Sequence, residues 1–249
     1  MSGLPGPTVL VIGAGPGLGL SVGRRFGREG FRVALVSLNG ARHDQYVSSL
    51  AELGVTARAF AADILQPDPA RRALDAVTEA FASVDVVYYG PGAADPAVPP
   101  EPIATTTRAD AERAMSITFG AVQVVNHVLP AMIGRGRGGL LFAGGLSAVT
   151  PMPALGSLAL TAAAVRAYAL SLNAALAGQG VYAGTLTIGG VVERGDIYRQ
   201  VVSDPSRYGP VEGHTLDPDT LADAAWRMYS VRDRAESVFS TFDGIPAGG

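Results

Sequence analysis

The chain has 249 residues, of which 48% are hydrophobic and 16% charged, and its formal net charge is −3. This length and apolar content predict one globular domain spanning residues 1–249 and exclude a disordered chain. The slight acidity argues against a nucleic-acid or membrane partner, and the absence of cysteine excludes disulfides, thiolate metal sites and a thiol nucleophile.

Short apolar runs alternate with amphipathic, alanine-rich segments along the whole chain. This alternation is typical of a Rossmann-type, doubly wound parallel α/β sheet in a single domain with helices on both faces. We predict strands at residues 8–12, 32–37, 57–61, 84–89, 139–143, 182–188 and 237–241. We predict helices at about residues 17–29, 42–53, 69–81, 108–132, 156–177 and 218–229.

Two long loops follow predicted strand ends, at residues 95–102 and 193–216. Ligands of an open parallel sheet bind outside the carboxyl ends of the strands, so we expect both loops to line a site, and we name residues 193–216 the substrate loop. The start of the chain lacks a charged, then apolar, secretion signal, and Arg166 and Asn173 interrupt the most apolar helix. We therefore expect a cytoplasmic protein without a membrane span.

A glycine-rich turn, GAGPGLG at residues 13–19, follows the first strand and opens the first helix. Glycines let the backbone approach a pyrophosphate, and the helix N-terminus offers free N–H groups and partial positive charge. The alternative is a tight connection without a ligand. In this context we favour a phosphate loop formed by Gly13, Gly15, Gly17, Leu18 and Gly19.

The second strand ends without the carboxylate that would hold the adenosine ribose hydroxyls of NAD(H). Ser37, Asn39 and Arg42 stand there instead and are suited to a ribose phosphate. We therefore expect NADP(H) rather than NAD(H), although Arg42 is equally explained as a solvated residue at a helix start.

The turn at residues 13–19, the pair Ala62-Asp63 and the segment VDVVYYGPG at residues 84–92 together resemble the short-chain dehydrogenase/reductase family over essentially the whole chain. The resemblance implies NAD(P)(H) binding and a homodimer or homotetramer assembled through the helices at 108–132 and 156–177. It also implies a small-molecule substrate. The further cofactor-binding residues that it implies are Asp63, Ile64, Gly90, Pro91, Gly92 and Gly189.

The catalytic residues of the family are an asparagine, a serine, a tyrosine and a lysine. Alignment places them at Ile117, Gly145, Leu158 and Ala162, where no side chain can move a proton. All nineteen basic residues are arginine, so no lysine is available to lower the pKa of a tyrosine. The sequence therefore predicts a divergent member without the usual proton relay.

Three functions remain open for such a chain. The first is an oxidoreductase acting on a small apolar substrate. Its hydride acceptor would need no simultaneous protonation, or another side chain would serve as the proton donor. The second is a non-redox cyclase, isomerase or lyase with an apolar pocket at residues 146–158 that uses no cofactor in turnover, and the third is a cofactor-sensing binding protein. The candidate catalytic residues are Glu193, Ser147 and Tyr182, with Thr161, Tyr88, Tyr89 and His214 as further donors.

Each candidate donor also has a structural interpretation, as a cap, a core aromatic or part of a salt-bridged loop. Glu193 is favoured because it replaces the family's threonine beside the nicotinamide amide, in a polar loop that includes Arg194, Asp196 and Arg199. The three histidines are far apart in sequence, so we predict no metal site.

Overall fold

A computed structural model describes residues 6–92, 100–208 and 211–242. Within these residues a seven-stranded parallel sheet has the strand order β3-β2-β1-β4-β5-β6-β9. The strands are β1 (Thr8–Ile12), β2 (Arg32–Ser37), β3 (Ala57–Ala61), β4 (Val86–Tyr89), β5 (Gly138–Gly145), β6 (Val181–Gly189) and β9 (Glu236–Ser240). The predicted Rossmann-type fold class is confirmed.

Helices cover both faces of the sheet. One face carries α1 (Leu18–Arg28), α2 (His43–Ala51) and α8 (Pro218–Val231), and the other carries α3 (Pro67–Phe81), α4 (Arg108–Arg135) and α5 (Ser157–Ala175). The central strand β1 is buried on both sides, with Leu10 and Ile12 in one core cluster and Val9 and Val11 in the other. A strand covered on both faces needs a continuous apolar run, and the VLVI sequence provides one.

The substrate loop contains more structure than the sequence predicts. Two short helices, α6 (Asp196–Ser203) and α7 (Pro205–Tyr208), lie within it. The strand β7 (Val191–Val192), just before the loop, pairs in parallel with β8 (Thr215–Leu216) near its end. Strands of two residues are too short for apolar alternation to reveal them. The other predicted loop, residues 95–102, lies largely outside the described residues.

The long helices α4 and α5 lie side by side on the sheet. A capping box of Thr107 and Asp110 fixes the start of α4, and Gly136 in the left-handed conformation ends it. By length and composition both helices are apolar enough to cross a membrane. In this fold they contribute core residues to the sheet face, including Val124 of α4 and Val165 of α5.

Candidate functional site

The glycine-rich turn is held between β2 and β4 by main-chain hydrogen bonds. The amides of Gly13 and Ala14 both donate to the carbonyl oxygen of Val36 at 3.0 Å, and the amide of Gly90 donates to Ile12 at 2.9 Å. Gly13 has a φ of +88°, and a Cβ there would lie 2.2 Å from the carbonyl oxygen of Gly90. Only glycine fits this position, which fixes the turn at the carboxyl ends of the strands.

The N-terminus of α1 is open to an anion. Gly17 caps it without a side-chain hydrogen bond, and no acidic residue stands in the first turn. The first amides of a helix have no partner inside the helix and carry partial positive charge. A Cβ at Gly19 would lie 2.5 Å from the carbonyl oxygen of Gly13, so the backbone cradle depends on glycine here too. These features suit a pyrophosphate.

A cleft of about 540 Å³ lies in front of this turn, between the strand ends and the start of the substrate loop. The structure brings thirteen of the fourteen predicted cofactor-binding residues to its lining: Gly13, Gly15, Gly17, Leu18, Gly19, Ser37, Asn39, Arg42, Asp63, Ile64, Gly90, Pro91 and Gly92.

Gly189, the fourteenth predicted residue, is not among the described residues that line the cleft. It ends β6, its carbonyl oxygen accepts from the amide and the hydroxyl of Thr241, and a Cβ there would run into Leu146. Its neighbour Gly190 lines the cleft instead.

Polar side chains gather at the β2 end of the cleft. The Ser37 hydroxyl oxygen lies 2.7 Å from Nε2 of His43, and burial lowers the pKa of that imidazole. The side-chain Oδ1 of Asn39 accepts from the amide of Ala41 at 2.8 Å, which shapes the loop before α2. On the neighbouring strand end, Oδ1 of Asp63 accepts from the amide of Leu65 at 3.0 Å.

Arg42 is held by a carboxylate of the substrate loop. Its Nη1 and Nη2 lie 3.0 and 2.7 Å from the two carboxylate oxygens of Asp196, a fork that also raises the pKa of Arg42 and lowers that of Asp196. Arg199 donates to the same carboxylate from the next turn of α6. Sequence reasoning missed this contact, because 154 positions separate its partners.

The four positions aligned with the family's catalytic residues lie at the end of β5 and on α4 and α5. A Cβ at Gly145 would lie 3.8 Å from that of Ala162, and Leu158 is one turn earlier on α5. On the neighbouring turn of α4, Ile117 is followed by Thr118, whose hydroxyl lies 2.9 Å from that of Thr161. Both threonines are buried. Neutral groups thus occupy this region.

The candidate donors fall in different places. Ser147 lies in a short 3-10 turn, and its hydroxyl oxygen would be 3.4 Å from a Cβ at Gly145. Glu193 is directed at the small β7–β8 sheet, where it accepts from Thr215 at 2.8 Å, and it is absent from the described cleft lining. His214 stacks on Phe242, with ring centroids 5.3 Å apart.

Tyr182 does not belong to the site, contrary to the prediction. It is the second residue of β6, at the opposite end of the strand from the cleft. Its hydroxyl donates to the carbonyl oxygen of Arg234 at 2.9 Å, and burial raises its pKa to about 12. Tyr88 and Tyr89 are fully buried in β4, and desolvation raises the pKa of both. Among the described residues, no group of three or more acidic or histidine side chains is arranged to hold a metal.

The sheet and its glycine-rich turn define a Rossmann-type α/β protein. The sequence profile described as "short chain dehydrogenase" matches residues 7–200. The chain therefore belongs to the short-chain dehydrogenase family, and the predicted resemblance is confirmed.

Curated relatives are named as enzymes of this type. Serine 3-dehydrogenase of Agrobacterium fabrum is 29% identical over 177 residues, covering 70% of this chain and 68% of the relative. The uncharacterized oxidoreductase YbbO of Escherichia coli is 28% identical over 220 residues, covering 87% and 78%. The predicted class of enzyme, an oxidoreductase of the short-chain dehydrogenase type, is thereby confirmed.

Solved structures share the fold. A metagenomic short-chain oxidoreductase in complex with NADP has a TM-score of 0.76 at 19% identity, covering 96% of this chain and 99% of that one. L-Sorbose reductase from Gluconobacter frateurii, complexed with NADPH and L-sorbose, has a TM-score of 0.78 at 19% identity, covering 96% and 97%.

Proposed function

We propose that this protein is a divergent NAD(P)(H)-dependent oxidoreductase that acts on a small apolar substrate without a Ser-Tyr-Lys relay. The observation that carries the proposal is the cradle at residues 13–19, where the backbone leaves no room for a Cβ at Gly13 or Gly19 and the start of α1, which has no side-chain cap, faces the cleft. Such a cradle fits a pyrophosphate.

Different residues of the cleft would contact different parts of the cofactor. The turn at residues 13–19 would hold the pyrophosphate, Asp63 and Ile64 the adenine, and residues 90–92 the adenosine ribose. Ser37, Asn39 and Arg42 support NADP(H) as the preferred cofactor, since a guanidinium suits a ribose phosphate. The bound nicotinamide would supply or accept a hydride.

The neutral region around Gly145 and Ala162 restricts the reactions that we propose. Reduction of an ordinary ketone requires a proton at the oxygen as the hydride arrives, and general acid–base help is worth about 10²- to 10⁴-fold. An iminium or a strongly activated double bond accepts hydride without simultaneous protonation. We therefore propose acceptors of this kind, with Ser147 as the nearest hydroxyl to the aligned serine position.

Calorimetric titration of the purified, cofactor-stripped protein with NADPH, NADP, NADH and NAD tests the proposal. We expect micromolar binding, about −8 kcal/mol, of at least one nucleotide. Incubation with deuterated NADPH and a cyclic iminium should then give a deuterated amine. If none of the four nucleotides binds, the proposal fails, and cyclase, isomerase or lyase chemistry becomes the alternative. Nucleotide binding without deuteride transfer, together with nucleotide-dependent capture of a partner, would favour the cofactor-sensing protein.

We also propose a homodimer or homotetramer assembled through α4 and α5. Phe119 is 62% exposed and Leu160 is 43% exposed, and both flank the buried Thr118–Thr161 pair that joins the two helices. Exposed apolar side chains on adjoining helices suit a self-complementary interface. Light scattering should give a dimer or tetramer mass, and Phe119→Glu should lower it. A monomeric wild-type protein would contradict the proposal.

A further inference from the structure

The Arg42–Asp196 contact joins the ribose end of the cofactor cleft to the substrate loop. Arg42 immediately precedes α2, and Asp196 is the first residue of α6. Both residues line the cleft. The Asp196 carboxylate of α6 is therefore already bound to the Arg42 guanidinium, which would otherwise be available to a ribose phosphate.

The surroundings of Arg42 favour a second anion in the place of Asp196. A cavity of about 420 Å³ between α1, α2 and α6 adjoins the cleft at Pro16, Arg42 and Tyr46. Its described lining includes four arginines and no carboxylate; the arginines are Arg24, Arg42, Arg194 and Arg199. Arg199 is also paired with Asp196, and Arg194 with Asp217 and Asp219. A phosphate at Arg42 would lie at the edge of this arginine-lined cavity.

The existing pair is accessible to a competing anion. The side chains of Arg42 and Asp196 are 44% and 45% exposed. Water and salt screen an ion pair this exposed, so a more highly charged anion can compete for Arg42 even though both of its Nη atoms contact Asp196 and Arg199 shares the carboxylate. A phosphate monoester carries up to two negative charges and three acceptor oxygens, so it competes effectively with one carboxylate.

The base of the substrate loop is anchored independently. Arg194 lies 2.9 Å from a carboxylate oxygen of Asp217 and 2.8 Å from one of Asp219, and Glu193 is bonded to Thr215. These contacts hold the β7–β8 end of the loop whether or not Asp196 is bound to Arg42. Loss of the Arg42 contact would therefore loosen α6 alone.

We propose that Asp196 is a cofactor-selecting residue. Its carboxylate binds Arg42 until the 2′-phosphate of a cofactor replaces it. When the phosphate takes its place, α6 is released from the start of α2. The inference rests on the proposed binding of NAD(P)(H). It predicts that a cofactor without the 2′-phosphate leaves the pair in place. A cofactor with the phosphate has to displace Asp196, at a loss of affinity, and leaves the substrate loop more open.

Hydrogen–deuterium exchange of the full chain, measured with each of two cofactor fragments, tests whether a 2′-phosphate replaces Asp196 at Arg42. The probes are 2′,5′-ADP and 5′-AMP, which lack nicotinamide and differ only in the 2′-phosphate. Both should slow exchange at residues 13–19. Only 2′,5′-ADP should speed exchange at residues 196–203, and neither should alter residues 215–216.

Calorimetric affinities of variants test whether Asp196 and Arg42 set the preference for a 2′-phosphate. Asp196→Asn should tighten the binding of 2′,5′-ADP by about three- to fivefold, the range of an exposed ion pair, and leave the affinity for 5′-AMP unchanged. Arg42→Gln should remove the preference for 2′,5′-ADP. Asp223→Asn is the matched control, because it breaks a comparable pair with Arg25 on another part of the surface and should change neither affinity.

The outcomes separate the two proposals. If neither fragment binds, the proposed cofactor binding fails and this inference fails with it. If both fragments bind but exchange in α6 is the same with each, or Asp196→Asn leaves the affinity for 2′,5′-ADP unchanged, this inference alone is overturned.

Discussion

The hydroxyl of Tyr89 donates to the main-chain carbonyl oxygen of Ile117 at 2.7 Å, and this bond joins the end of β4 to the middle of α4. Tyr89 is only 1% exposed. A Cβ at Gly120, on the next turn of α4, would lie 2.6 Å from the same hydroxyl. The tyrosine therefore fixes the helix turn that carries Ile117, which we predict to stand at the position of the family's asparagine.

Removing this hydroxyl should destabilise the fold. Tyr89→Phe leaves one buried hydrogen bond unmade, which typically costs about 1–2 kcal/mol. Urea unfolding measures the loss. Gly120→Ala should also destabilise the wild type, through its clash with the hydroxyl, but should cost less in the Tyr89→Phe background. Additive losses in the double variant would contradict the contact.

Glu236 should make the free energy of unfolding depend on pH in the acid range. Oε1 and Oε2 of Glu236 lie 2.7 and 2.6 Å from Nε and Nη2 of Arg166, and Thr187 donates to Oε1 at 2.6 Å. The Arg166 hydrogen bonds hold the pKa of Glu236 below its ordinary value of 4.5. Its contribution is therefore complete above pH 4.5 and is lost as the pH falls through the lowered pKa.

The measurement is the free energy of unfolding between pH 7 and pH 3. Glu236→Gln should be less stable than the wild type at pH 7, by about 1–3 kcal/mol, and the difference should shrink in acid. A difference that stays constant across this range would show that the carboxylate charge is not involved. Glu112→Gln, at an exposed residue of α4, provides the control.

Tyr182 should matter for stability and not for chemistry. Its hydroxyl is bonded to Arg234 at the amino end of β6, away from the cleft. Tyr182→Phe should cost about 1 kcal/mol and leave the pH dependence of hydride transfer unchanged. Ser147→Ala is the comparison, since its hydroxyl lies beside the aligned serine position. A pH profile altered by Tyr182→Phe would return Tyr182 to the list of donors.

Restoring the relay should restore ketone reduction. Gly145→Ser, Leu158→Tyr and Ala162→Lys together rebuild the serine, tyrosine and lysine of the family on the same strand end and helix. We expect the rate of reduction of an activated ketone by NADPH to rise about 10²- to 10⁴-fold, the usual value of general acid catalysis.

The matched control for the restored relay replaces Leu158 with phenylalanine in the same triple variant. It has the size of the tyrosine without the hydroxyl proton. Equal rates for the two triple variants would contradict a catalytic role of the restored tyrosine. A melting curve for each variant separates loss of fold from loss of rate, because Ala162 is buried and a lysine there needs space.

The glycine-rich side of the cleft could be predicted because its signals are local. The glycines of residues 13–19 lie within one turn, and Ser37 and Arg42 follow one strand. Contacts within the substrate loop were not predictable in the same way. The sequence identified Glu193 as a carboxylate but not its direction toward Thr215, and nothing local connects Asp196 to Arg42. For Tyr182 the signal was present, since a residue near the start of a parallel strand lies at the edge opposite the ligand.

The neutrality of the region around Ala162 affects more than proton transfer. An ammonium group at this position would repel any cation that approached the hydride donor, and a buried charge acts strongly because little water screens it. A methyl group at Ala162 and the paired hydroxyls of Thr118 and Thr161 exert no such repulsion. Alanine in place of the relay's lysine thus also removes an electrostatic barrier to a positively charged acceptor such as an iminium.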